Sequence, residues 1–87
     1  MAIHKHFPAI GLGGGQVGSY FWNLGISDVW RPYVLFVQPA HEGDRFEIMR
    51  QWYWRRVNGV YEYWIEVRNA AAGYGEFLLV LASVGYV

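Results

Sequence analysis

The sequence predicts an all-β fold, a small antiparallel β-sandwich of six to seven strands, with a small β-barrel as the alternative; three observations carry this. Short alternating or continuously apolar runs are separated by turn signals at roughly 8–12-residue spacing. Helical periodicity is almost absent: Ala70-Ala71-Ala72 is the only stretch with helix propensity, and it is too short to nucleate a helix. Asn58-Gly59, flanked by aromatic-rich runs, is the strongest short-range hairpin signal a sequence can carry.

The elements follow in order. Residues 3–7 form a terminal strand closed by Pro8, which cannot donate to a ladder. Residues 11–18 hold Gly11, Gly13, Gly14, Gly15 and Gly18, too entropically costly for a regular element, and are expected to form a loop. Residues 19–23 read as an aromatic strand and residues 25–28 as a turn. Residues 29–38 are apolar on both sides, and residues 33–37 within them suit a strand buried from both directions. Residues 38–44 are a polar loop, residues 69–75 a small-residue loop, and residues 76–83 a second continuously apolar strand. These two apolar strands are expected in the middle of their sheets.

Between the loops lies the hairpin of residues 46–69. A two-residue turn at Asn58-Gly59 places Val57 opposite Val60. One face then carries Arg50, Trp52, Trp54 and Arg56 against Val67, Ile65, Tyr63 and Tyr61, and is expected to face the core. The other pairs Arg55 with Glu62, Tyr53 with Trp64, Gln51 with Glu66 and Met49 with Arg68, and is expected to face solvent. Arg50 is the conspicuous charge. Beside two indoles it either lies at the sheet edge with its head in water, or makes a buried ion pair or a ring-stacked ligand contact.

A chain of 87 residues is expected to form one domain over residues 1–87. At 20% aromatic, with five Trp, seven Tyr and five Phe, it can build a dense core without disulfide or zinc, and rings remain for a surface. Zero net charge disfavours broad binding to nucleic acid or anionic membrane, even with Arg45, Arg50, Arg55 and Arg56 grouped in sequence. Without cysteine there is no thiol chemistry, and the redox compartment is unreadable. The longest apolar run, residues 77–82, is too short to span a bilayer, so a soluble protein of unassigned compartment is expected.

Catalytic signatures fail on context. Gly13, Gly15 and Gly18 satisfy G-x-G-x-x-G, but an aromatic strand follows where a helix must, and Gln38 stands where an acidic residue is needed. His4 and His6 share a strand face, yet neither His41 nor the adjacent Glu42 and Asp44 is fixed by spacing as a third metal ligand. Ser19, Ser27 and Ser83 lack a nucleophile turn, and Glu62 and Glu66 have cross-strand partners rather than a cleft between them. No catalytic residue, cofactor or metal is expected.

The expected function is therefore non-enzymatic binding, with a carbohydrate as ligand in a lectin-like mode. Tyr53 and Trp64 would offer flat platforms flanked by Arg55 and Glu62, with Trp30 and Tyr74 added from loops. Asn69, with other loop amides and carboxylates such as Asn23, Asp28, Gln38 and Glu76, would orient hydroxyls. The alternative is a structural, self-assembly or protein-protein interaction module with no small-molecule ligand, in which the same rings and arginines meet another protein chain. Either way a homo-oligomer is expected.

Overall fold

A computed structural model describes residues 2–24 and 33–83, and the side chains among them except those of residues 2–6 and 24. Trp30, the turn expected at residues 25–28 and the start of the 29–38 run lie outside the described residues. The described chain is all-β: β1 (Ala2–His6), β2 (Ile10–Leu12), β3 (Val17–Leu24), β4 (Tyr33–Pro39), β5 (Phe46–Arg55), β6 (Tyr61–Asn69) and β7 (Gly75–Ser83). They form two antiparallel sheets that pack as a small sandwich. In sheet A, β7 pairs with β4 on one side and with β1 and β2, laid end to end across Pro8, on the other. Sheet B has the order β3-β6-β5.

The core lies between β7 and β6. Phe77, Leu79 and Leu81 from β7 and Leu35 from β4 meet Tyr63, Ile65 and Val67 from β6. Around them pack Phe7, Ile10, Leu12, Tyr20, Trp22 and Phe46. β7 is buried on its other face too, at Val80 and Ala82, as expected of a continuously apolar central strand. β4 does not take the central, doubly buried place expected of it: among the described strands it pairs only with β7 and so is an edge, and of its residues only Leu35 is fully buried. Its open side is closed by β5, whose Gln51 amide donates to the Leu35 carbonyl while the Tyr53 phenol hydrogen-bonds the Leu35 backbone.

The glycine-rich segment is more ordered than expected. Ile10–Leu12 pairs with β7, Val17 and Gly18 already belong to β3, and only residues 13–16 turn, with Gly15 at φ 77° and the Gln16 amide donating to the Gly13 carbonyl at 3.0 Å. At Gly14 an added Cβ would run into the Ala72 carbonyl, so glycine there permits close approach of two loops.

The hairpin exists, but its register differs by one residue from the two-residue expectation. The Arg56 amide donates to the Val60 carbonyl at 2.8 Å, and the Gly59 amide to the Arg56 carbonyl at 2.9 Å. Gly59 has φ 86°, and the Asn58 carboxamide accepts from the Val60 amide at 3.0 Å. The loop is therefore three residues, a tight turn followed by a left-handed glycine. A one-residue slip exchanges the faces of a strand. Arg55 now pairs with Tyr61, Tyr53 with Tyr63 and Gln51 with Ile65 toward the core side, while Trp54, Trp52 and Arg50 pair with Glu62, Trp64 and Glu66 on the outside. A bulge between Ile48 and Arg50 restores the opposite phase, so that Phe46 turns inward onto Phe77 at 4.8 Å between ring centroids.

Candidate functional site

The register shift places on the outer face of sheet B the residues that were expected inside. Four rungs cross its three strands: Val17, Arg68 and Glu47; Ser19, Glu66 and Arg50; Phe21, Trp64 and Trp52; Asn23, Glu62 and Trp54. The aromatic rung is a continuous stack. Phe21 and Trp64 have centroids 4.6 Å apart and planes 18° apart; Trp64 and Trp52 are at 5.3 Å and 10°. Rings at that spacing cannot lie flat side by side; they stand on the sheet, cover one another's faces and turn edges to water. The Arg50 guanidinium lies over the Trp52 ring, 4.8 Å from its centroid, and 3.6 Å from Glu66. Arg50 is thus a solvent-facing, paired and ring-stacked cation, and burial beside the indoles does not arise.

Next to this stack Glu62 is almost fully covered, at 4% exposure, although it lies on the sheet's outer side. One carboxylate oxygen accepts from the Trp64 indole N–H at 3.0 Å and the other from Arg56 at 2.8 Å. These two bonds, the indole's being the larger influence, hold its carboxyl below the usual carboxylate range against the opposing effect of burial. The unfolded chain binds the Glu62 proton more readily than the folded one, so this group adds stability above the ordinary glutamate range and loses it as pH falls through the lowered value. Glu62→Gln is therefore expected to flatten the acid limb of a stability-pH profile measured by urea unfolding; an unchanged acid limb would show that the two bonds do not favour the charged form.

Arg56 serves a second ring as well. Its guanidinium lies 4.9 Å from the Trp54 centroid, and Trp54, outside the stack, remains 50% exposed. Trp54, Arg56, Val57 and Asn58 line a shallow cleft of about 320 Å³ at the hairpin end of the face. An indole, a guanidinium and a carboxamide on one open cleft can bind and orient a polar ligand. The covered carboxylate of Glu62, committed on both oxygens, is poorly placed for proton transfer.

The residues expected to form the site are dispersed by the fold. Trp64 and Glu62 are on the outer face of sheet B, Trp64 inside the stack. Tyr53 and Arg55 are on the opposite side of β5: Tyr53 caps Leu35 yet stays 48% exposed at the flank, and the Arg55 guanidinium lies 5.6 Å from the Tyr61 ring. Glu62 pairs with Arg56, not Arg55. Asn69 is fully buried in a structural role at the other end of β6, Tyr74 is 70% exposed in the β6-β7 loop, and Trp30 lies outside the described residues. Trp52, Trp54, Arg56 and Phe21 were missed as surface groups. The alternation at 50, 52 and 54 already put three residues on one face; what was misread is which way that face points.

Elsewhere, His41 Nδ1 lies 3.3 Å from Asp44 and 3.6 Å from Glu76, where Asp44 also accepts the His41 and Glu76 amides, so the group pins a loop. Among the described residues no group of three His, Asp or Glu side chains is arranged to hold a metal ion, and no helix is long and apolar enough to cross a membrane. No family model, curated protein or solved structure matches the chain.

Proposed function

We propose that the protein is a non-enzymatic binding module that takes a carbohydrate in the Trp54 cleft. The observation that carries this reading is the isolation of Trp54 from the stack. A sugar ring lays its C–H face on an indole and spends its hydroxyls on polar neighbours. Phe21, Trp64 and Trp52 offer mainly edges, whereas Trp54 is half exposed with Arg56 and Asn58 at hand. The sugar platform thereby moves from Tyr53 and Trp64 to the neighbouring indole. A glycan array probed with the wild-type chain is expected to give saccharide-specific signal. Trp54→Ala should weaken it at least about tenfold, the loss of one well-packed aromatic anchor, while Tyr74→Ala leaves it unchanged. A blank array, or equal loss in both variants, would overturn the reading.

A second reading, protein-protein contact without a small ligand, is favoured by the breadth of the same face. Val17 and Phe21 of β3 and Trp54 of β5 are each about half exposed, with Arg50 and Arg56 on the same face. Arginine and tryptophan dominate interface hot spots. A blank array together with a specific macromolecular complex lost in Trp54→Ala would select it.

A further inference from the structure

We propose that the edge of β3, unpaired among the described residues, is a self-association site, where a second copy of this chain adds its own β3 antiparallel about a two-fold axis centred on Phe21. Independently of any sugar site, the four sheet edges among the described residues differ. Unpaired edges are normally blunted by charge, proline, bulges or covering groups. β4 is capped by Gln51 and Tyr53; β5 carries a bulge with Glu47, Arg50 and Arg55; the β1-β2 edge has a bulge between Ile3 and Lys5 and a break at Pro8. Among the described residues β3 has none of these. Its eight residues include no charge and no proline, and they pair with β6 in eight consecutive rungs without a bulge.

The backbone phase is readable. The Asn69 amide donates to the Gln16 carbonyl at 2.9 Å, just before Val17 pairs with Arg68. Antiparallel alternation from that bond directs the N–H and C=O groups of Val17, Ser19, Phe21 and Asn23 away from β6, toward the open edge. Beside them, Phe7, Pro8, Ile10, Tyr20 and Leu79 line an apolar groove of about 490 Å³ between the sheets, so an approaching strand meets no charged wall.

The side chains say which strand fits. The ring stack advances one strand per step, at centroid spacings of 5.3 and 4.6 Å, close to the roughly 4.7–4.9 Å between neighbouring strands. It stops at Phe21, 49% exposed, where sheet B ends among the described strands. Centring the axis on Phe21 sets the partner's Phe21 at the next step and continues the stack through both subunits. It also sets Ser19 opposite the partner's Asn23, polar against polar, and brings no charge of β3 against a like charge. The contact is isologous and closes as a dimer, with sheet B running through six strands. A foreign strand would need an aromatic residue at the same place; a second copy already has it.

The test uses the whole chain. Light scattering is expected to report a dimer that dissociates on dilution. The Ser19, Phe21 and Asn23 amides should exchange slowly in the dimer and lose that protection as it dissociates. Phe21→Lys places a charge on the axis, and Ser19→Pro removes an outward N–H without touching the β6 ladder. Both are expected to halve the mass and keep the near-UV circular dichroism of the fold. Four results would overturn the proposal: a wild-type monomer at every concentration, a dimer that survives both substitutions, fast exchange of those three amides in a dimer, or protection that arises only when an unrelated apolar peptide is added. The exchange measurement on the wild type decides the matter even if a variant fails to fold.

Discussion

Phe77→Ala is expected to lower the unfolding free energy by about 3–5 kcal/mol, the cost of emptying a buried aromatic site that cannot collapse. Phe77 is fully buried on β7, and its ring meets Tyr20 of β3 edge-on at 5.5 Å and Phe46 of β5 at 4.8 Å. One side chain from sheet A thus joins both outer strands of sheet B. Neither neighbour can follow it into the void, because Tyr20 and Phe46 are held in register opposite Ile65 and Asn69. Stability of roughly 0.05–0.15 kcal/mol per residue gives a chain of this length about 4–13 kcal/mol in total, so the variant sits near the threshold of folding. Phe77→Leu keeps most of the volume and should cost less than half as much. Urea unfolding at fixed m-value measures both; a Phe77→Ala loss below about 1 kcal/mol would mean that the two sheets are not held together at this residue.

The architecture was legible because it rests on signals of short range. β7 and β4 announce themselves as continuous apolar runs, and Asn58-Gly59 marks the reversal between β5 and β6 whichever turn it adopts. The register was not legible, because two-residue and three-residue loops share the same Asn-Gly signature and differ by one position, which is enough to invert a face. The choice between them is made at long range. With Tyr61, Tyr63, Ile65 and Val67 inward on β6, β5 must send Gln51 and Tyr53 to the open edge of β4 and also deliver Phe46 to Phe77. Only a bulge between Ile48 and Arg50 allows both, and no local pattern in the sequence marks it. The candidate site shifted for the same reason. Trp52 and Trp54 share a face with Arg50 as expected, but that face points outward, and Arg55 and Tyr53, expected toward solvent, take the core side of β5.

Asn69 shows the same point from the opposite direction: a residue whose chemistry suggested a ligand contact is expected to matter for folding instead. It is fully buried where the end of β6 meets the end of β2 and the β6-β7 loop. Its side-chain amide donates to the Leu12 carbonyl at 2.8 Å and the Gly73 carbonyl at 2.9 Å, and its side-chain oxygen accepts from the Ala71 amide at 2.8 Å. Three backbone groups of two segments, β2 and the β6-β7 loop, are satisfied by one carboxamide. Asn69→Ala leaves all three without that partner. At about 1–3 kcal/mol for each polar group left buried and unsatisfied, moderated by water reaching the exposed Gly73, the expected loss is roughly 2–4 kcal/mol. Asn69→Asp separates hydrogen bonding from packing, because it keeps the volume and the acceptor for Ala71 but turns a carboxylate toward two carbonyl oxygens. Its charged form is disfavoured by burial and by those oxygens, so the folded state holds the proton more tightly than the unfolded state does. Stability of this variant should therefore fall as pH rises through the carboxylate range, the reverse of the Glu62 effect in the wild type. Urea unfolding of Asn69→Asp at several pH values reads that slope directly, and a slope of the opposite sign would show that the two carbonyls are satisfied by something other than the Asn69 amide.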